Sequence, residues 1–241
     1  KGEVYVSAQK KERDGPKEFA LPPANQTMRR VYAYLLQQRH ISREVLNAFA
    51  QKGLIYESRE LSRDQTKEYH NAVFVGFDEH GVARHAHKRG LYTQGKSYRG
   101  NIEGSDPQCS FHWTGTSDRL YVFEAPIDAL SHATLQELEG WKWDGYRLSL
   151  GGTSHVALTA FLKRHPEIRR VNLYMDNDLG GLKNARRIKA MLREDPCFKH
   201  IRVGINPPRT GKDYNEKLQR TRQQMQDRQQ PCRPKEAAVS I

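Results

Sequence analysis

Leu120-Tyr121-Val122-Phe123-Glu124-Ala125-Pro126-Ile127-Asp128 reads as a strand that ends on a carboxylate and turns at once into a helix. Four consecutive apolar residues make a short buried strand. Pro126 suits the first helical turn, where its missing N–H leaves nothing unpaired. Asp128 falls in that first turn, and the helical pattern continues to Leu138. The alternation carries on along the chain. Tyr146–Leu150 is a strand closed by Gly151-Gly152, Ser154–Arg164 a helix, Val171–Met175 a strand, Leu182–Arg193 a helix and Ile201–Ile205 a strand. Strand and helix in this order predict an α/β fold, a mostly parallel sheet with helices on both faces.

Carboxylates stand where three of these strands end. Glu124 closes the first, with Asp128 just beyond it. In Leu173-Tyr-Met-Asp176-Asn-Asp178-Leu-Gly180-Gly181 two acids sit past a strand, and glycines let the backbone turn sharply. Gly211-Lys212-Asp213-Tyr214-Asn215 follows the last strand. In an open parallel sheet, ligands bind in the crevice beyond the carboxyl ends of the strands. Acids gathered there repel one another unless a hard cation is present. Mg²⁺ (or Mn²⁺) takes oxygen ligands and bridges to phosphate. Each acid alone has a plainer explanation: a solvated strand end for Glu124, an Asx turn for Asp-x-Asp, a helix N-terminus for Asp128. The ordered combination is what points to chemistry.

Glu124-x-x-x-Asp128 followed by Asp176-x-Asp178-x-Gly180 resembles the Toprim domain of primases, topoisomerases and some nucleases. Leu148-Ser-Leu-Gly151-Gly152 is similar to the glycine turn between its acidic motifs, and Lys212-Asp213 to the third acidic position of primase-like members. The resemblance covers residues 118–218. It implies that Glu124 is a general acid/base or metal ligand, that Asp176 and Asp178 are metal ligands, and that Asp128 and Asp213 support them. The wider layout, from Phe19-Ala-Leu-Pro22 to Ile127-Asp128-Ala-Leu-Ser131, resembles Toprim proteins of bacterial plasmids and conjugative elements.

Upstream, Asn71–Phe77 reads as a strand, Asp78-Glu-His-Gly81 as a turn and Val82–Lys88 as a returning strand. A helix begins near Asn25, and a second runs from the N-cap Ser42 to Gln51, stopped by Gly53. Asn71 to Gly100 also resembles the basic subdomain that precedes Toprim in primases. Arg84, Lys88, Arg89, Lys96 and Arg99, with Tyr92, Tyr98, Phe111 and Trp113 nearby, suit single-stranded nucleic acid. The rings serve equally as a small core. Lys183 and Lys212 are further candidates for phosphate contact, beside Arg186 and Arg187. His85 and His87 share a strand face but lack a third ligand for a transition metal.

The organisation expected is a tail over residues 1–18, a smaller α+β primase-like domain over 19–117, a Toprim domain over 118–218 and a disordered basic tail over 219–241. The net charge of +12 and sequence pI of 9.7 favour a polyanionic partner. Mean hydropathy is −0.85, and no apolar run approaches the roughly 18 residues that span a membrane. Cys109, Cys197 and Cys232 form no CxxC pair, so zinc is not expected and a reducing, cytoplasmic setting is. The chain starts at Lys1 and reads as a piece of something longer. None of its eleven tyrosines sits in a recognisable strand-cleavage domain, which speaks against a topoisomerase.

The expected function is Mg²⁺-dependent nucleotidyl transfer of primase type, acting on DNA in a mobile element. Partners would be single-stranded DNA, nucleoside triphosphates, and replication or relaxase proteins. A nuclease using the same acids is one alternative. A DNA-binding module with a vestigial Toprim site is another.

Overall fold

The computed structural model describes residues 18–62, 64–92, 98–152 and 154–229. The first half opens with α1 (Arg29–Ala33), which widens into a π-helical turn over Tyr34–Gln38, and α2 (Arg43–Gln51). The Ser42 hydroxyl caps α2 by accepting from Val45 N–H at 3.2 Å. Gly53, at φ +68°, ends it in the left-handed conformation. The helix expected from Asn25 starts four residues later. The Asn25 amide instead donates to Glu57 Oε1 at 2.9 Å.

Four antiparallel strands follow in sheet order β1-β2-β3-β4: β1 (Ile55–Leu61), β2 (Glu68–Phe77), β3 (Ala83–Gly90) and β4 (Arg99–Asn101). β1 gives no strand signal in the sequence, because Tyr56-Glu-Ser-Arg-Glu60 is largely polar. Its Glu57 is buried and its Ser58 fully covered. Both are satisfied by hydrogen bonds rather than by apolar packing.

The second sheet has order β5-β7-β6-β8-β9, from β5 (His112–Trp113), β6 (Arg119–Phe123), β7 (Tyr146–Ser149), β8 (Arg170–Tyr174) and β9 (Arg202–Ile205). Four strands are parallel. β5 is an antiparallel edge, so two residues before 118 belong to this sheet. The connecting helices are α3 (Pro126–Leu138), α4 (Val156–Arg164) and α5 (Leu179–Glu194), and α6 (Tyr214–Gln229) follows β9. Central strand β6 shows how the layers form. Leu120 and Val122 pack with α4 and α5, while Tyr121 and Phe123 pack with α3, α6 and the first half. Phe49, Phe74 and Phe111 share that second cluster with Leu130 and Leu218, so one core joins the two sheets.

Residues 219–229 of the expected tail continue α6 to Gln229, and 230–241, like 1–17 of the expected N-terminal tail, lie outside the described residues. The sequence of α6 carries little apolar signal. Only Tyr214 and Leu218 are buried hydrophobics, and Asp213 Oδ1 caps the first turn by accepting from Glu216 N–H at 2.7 Å. Among the described residues no helix is long and apolar enough to cross a membrane.

Candidate metal and phosphate site

The parallel strands deliver the acids to one end of the sheet. β6 and β8 are direct neighbours, with Phe123 opposite Tyr174. Glu124 and Asp176 therefore emerge side by side, and Glu124 Oε1 lies 3.4 Å from the Asp176 backbone N–H. Asp178 is the N-cap of α5, its Oδ1 accepting from Gly181 N–H at 2.9 Å. A Cβ on Gly181 would meet the Asp176 carbonyl oxygen at 2.2 Å. The close approach of α5 to the acidic turn therefore requires glycine at this position. Asp128, in the first turn of α3, is buried and accepts from Asn215 N–H through Oδ1 at 3.1 Å. Asp213 lines the same cleft.

This crowding raises the acids. Burial, then Asp176, pushes the Glu124 carboxyl above the usual range. Burial, then Asp213, does the same to Asp176. Asp128 is raised well above it by burial, then by Asp213 and Asp176. Asp178 goes the other way, held down first by the Gly181 N–H and also by Lys212. The Lys212 ammonium stands 3.6 Å from Asp176 Oδ2 and 3.4 Å from Asp178 Oδ2.

Among the described residues no three His, Cys, Asp or Glu side chains are already drawn together as a ligand set. The donor chemistry nevertheless fits a hard divalent cation. All the donors are carboxylate oxygens, several are destabilised by one another, and a cation already sits between two of them. Glu124, Asp176 and Asp178 are the residues that could hold it, with Asp213 alongside.

The opposite wall of this cleft of about 450 Å³ comes from the first sheet. Arg89 and Arg99 face each other across β3 and β4. His87 lies beside them and donates from Nδ1 to Asn101 Oδ1 at 2.9 Å. Asn101 in turn donates to the Gly151 carbonyl at 3.2 Å, tying the small sheet to the glycine turn. Burial holds His87 below the usual histidine range, with Arg89 and Arg99 adding to the effect. Among the described residues, buried Arg89 Nε has no hydrogen-bond partner.

The basic residues read from the sequence divide between the two faces of this sheet, because side chains alternate along a strand. Arg89 and Arg99 reach the cleft. Arg84 and Lys88 lie on the other face, where Arg84 Nε pairs with Asp78 at 2.9 Å and Lys88 Nζ with Glu60 at 2.8 Å. Lys183 is exposed on α5, away from the cleft lining. Lys96 lies outside the described residues. His85 is buried and held down to about 4 by burial and His87. Two residues that line the cleft carry no nucleic-acid signal in the sequence: His87 reads there only as a transition-metal candidate, and Phe74 only as part of a strand. Asn101 gives no local signal. Asn215 did have one, as the last residue of Gly211–Asn215.

A larger cleft of about 610 Å³ lies elsewhere, lined by Trp113, Trp141 and Trp143 with Lys52 and Lys142 against Glu137 and Asp144. Its two lysines are matched by two carboxylates, whereas the acidic cleft gathers groups with displaced pKa values, so the acidic cleft is the better candidate.

One expected result follows from the burial of Asp128. A carboxyl raised on folding contributes stability that is fully present below its ordinary range and is lost as pH rises through the raised value. Asp128→Asn keeps an oxygen for the Asn215 N–H and removes the charge. It should therefore melt higher than wild type at neutral pH without divalent ions, by on the order of a few degrees. The gain should shrink toward about pH 4, where the unfolded carboxyl also protonates. Thermal melts across that range, read by circular dichroism, check it. A lower melting temperature for the variant at pH 7 would show that the charge itself holds α3 to α6.

Residues 121–218 match a family model described as Toprim-like, and residues 33–117 match one described as a protein of unknown function, DUF3991. No curated protein matches the chain. Among solved structures, the primase fragment of the bacteriophage T7 primase-helicase protein is 18% identical, with a TM-score of 0.54 over 80% of this chain and 72% of that one. The E. coli primase catalytic core is 15% identical, with a TM-score of 0.50 over 80% and 69%. A DnaG primase catalytic domain bound to single-stranded DNA is 14% identical, with a TM-score of 0.50 over 84% and 74%. At such identities the likeness concerns the fold.

Proposed function

From the premise that residues 121–218 are a Toprim-like domain set in a primase-type catalytic-core fold, we propose that this chain performs divalent-cation-dependent nucleotidyl transfer on single-stranded nucleic acid. The observation that carries this is the facing of two walls across one cleft: Glu124, Asp176 and Asp178 on one side, Arg89 and Arg99 on the other. Acids alone would suit a structural cation, and cations alone would suit a polyanion. Together they suit a phosphate held between a metal and guanidinium groups.

Glu124, Asp176 and Asp178 would hold Mg²⁺ or Mn²⁺. When bound, the ion would supply charge stabilisation to the phosphate oxygens. Arg89 and Arg99 would bind and orient the phosphates of a nucleoside triphosphate or the strand backbone, and Arg89 Nε has an unused donor for this. Glu124 would take the proton from an attacking 3′ hydroxyl. Neutral His87 and Asn101 would fix the distance between the walls. Asp128 and Asp213 would act through their helix caps, by placing α3 and α6. The basic excess supports a nucleic-acid partner, and a plasmid or conjugative element is the setting proposed for it.

The test is incubation with Mg²⁺ and labelled single strands, with and without nucleoside triphosphates. Nucleotide-dependent oligomers or extended strands are the result expected. Shortening without nucleotides would assign the same acids to a nuclease. Strand binding with neither product would leave only a binding module.

A further inference from the structure

We propose that Lys212 is the resident counter-ion of the acidic cluster, which a divalent cation must displace, so that cation affinity at this site is set by exchange against an ammonium. This rests on reading the cluster as a cation site. The Nζ atom stands between carboxylates of two residues on one turn, 3.6 Å from Asp176 and 3.4 Å from Asp178. Those are the oxygens an incoming ion must recruit, and among the described residues no preassembled ligand set exists while the ammonium is there.

The backbone holds Lys212 at that place independently of its side chain. Its carbonyl accepts from Asn177 N–H at 2.6 Å, which fastens it to the residue between the two aspartates. Its own N–H donates to Glu216 Oε2 at 2.5 Å, in the first turn of α6. Gly211 supplies the φ of +85° from which this turn is entered. The arm beyond Cα is 60% exposed and has four rotatable carbons with which to leave. Anchored root and free tip together make an ammonium that can swing out without disturbing the acids.

Removing the ammonium therefore relieves a competitor and a like charge at once. Mn²⁺ binding is to be measured by the loss of free-ion electron paramagnetic resonance signal, without nucleotide or strand. Lys212→Met should bind about tenfold tighter than wild type, the worth of one or two exposed ion pairs. Lys212→Arg, which keeps the charge, should stay near wild type. Without divalent ion, Lys212→Met should melt below wild type, and Mn²⁺ should raise its melting temperature by more. Because the fixing contacts are made by the backbone, Lys212→Gln should behave as Lys212→Met does, and it serves in its place should that variant misfold. Mn²⁺ binding that is equal or weaker in the uncharged variants overturns the exchange role and leaves the cation site standing. Absence of Mn²⁺ binding in every form overturns both.

Discussion

Asp176→Asn with Asp178→Asn is expected to lower nucleotidyl transfer by about a thousandfold or more, since a metal's charge stabilisation is worth several kcal/mol. The fold should survive the exchange. Asn is as good an N-cap as Asp, so the Gly181 N–H keeps its acceptor at position 178. Asp176 is a strained anion in the free protein, raised by burial and Asp213, and its charge is not needed to hold β8 in place. The two readouts should thus separate: melting temperature within a few degrees of wild type, activity gone, and no Mn²⁺ retained. Glu124→Gln belongs to the same comparison and should cost roughly 10²- to 10⁴-fold, the range for losing a general base. It should do so while part of the Mn²⁺ affinity persists. Product formation by the double variant at more than about a tenth of the wild-type rate would remove the carboxylates from the mechanism altogether.

How far the sequence announces this site depends on whether each partner is local. Glu124, Asp176 and Asp178 were legible because each follows a short apolar run, and parallel strands bring their ends together by geometry. Their adjacency at β6 and β8 needs only the strand order. The cationic wall was half legible. Arg84, Lys88, Arg89 and Arg99 form one cluster in sequence, yet alternation along β3 sends Arg84 and Lys88 to Asp78 and Glu60 on the far face. A one-residue difference in register decides this, and the run Arg84-His-Ala-His-Lys-Arg89 has too little hydrophobic contrast to reveal it. α6 was missed beyond 218 because two buried side chains and an Asp213 cap do not outweigh a stretch of Gln and Arg. β1 gives no signal for a related reason, since even its buried residues Glu57 and Ser58 are polar.

That polar interior carries the second large effect. Glu57 is 1% exposed and uses both carboxylate oxygens as acceptors. Oε2 takes the Arg30 and Val31 N–H groups at 3.0 and 3.3 Å, two of the unpaired donors at the start of α1. Oε1 takes the Asn25 amide and faces His70 Nδ1 at 2.6 Å, and the other face of that ring reaches Glu68. Glu57→Ala leaves an amide, two helix donors and a buried imidazole without their acceptor. Breaking one partner out of a buried charged network costs about 3–5 kcal/mol. In a chain of this length that corresponds to a fall of roughly 6–20 °C in melting temperature. Glu57→Gln should recover only part of it, because an amide has one accepting oxygen where four donors converge. Glu68→Gln is the control. Its carboxylate is 36% exposed, and the change should cost under about 1 kcal/mol. Urea unfolding of the three variants orders them directly. If Glu57→Ala fell as little as Glu68→Gln, α1 and β1 would be joined by the packing of Val31, Leu35 and Ile55 rather than by this carboxylate, and the polar strand would have to be explained another way.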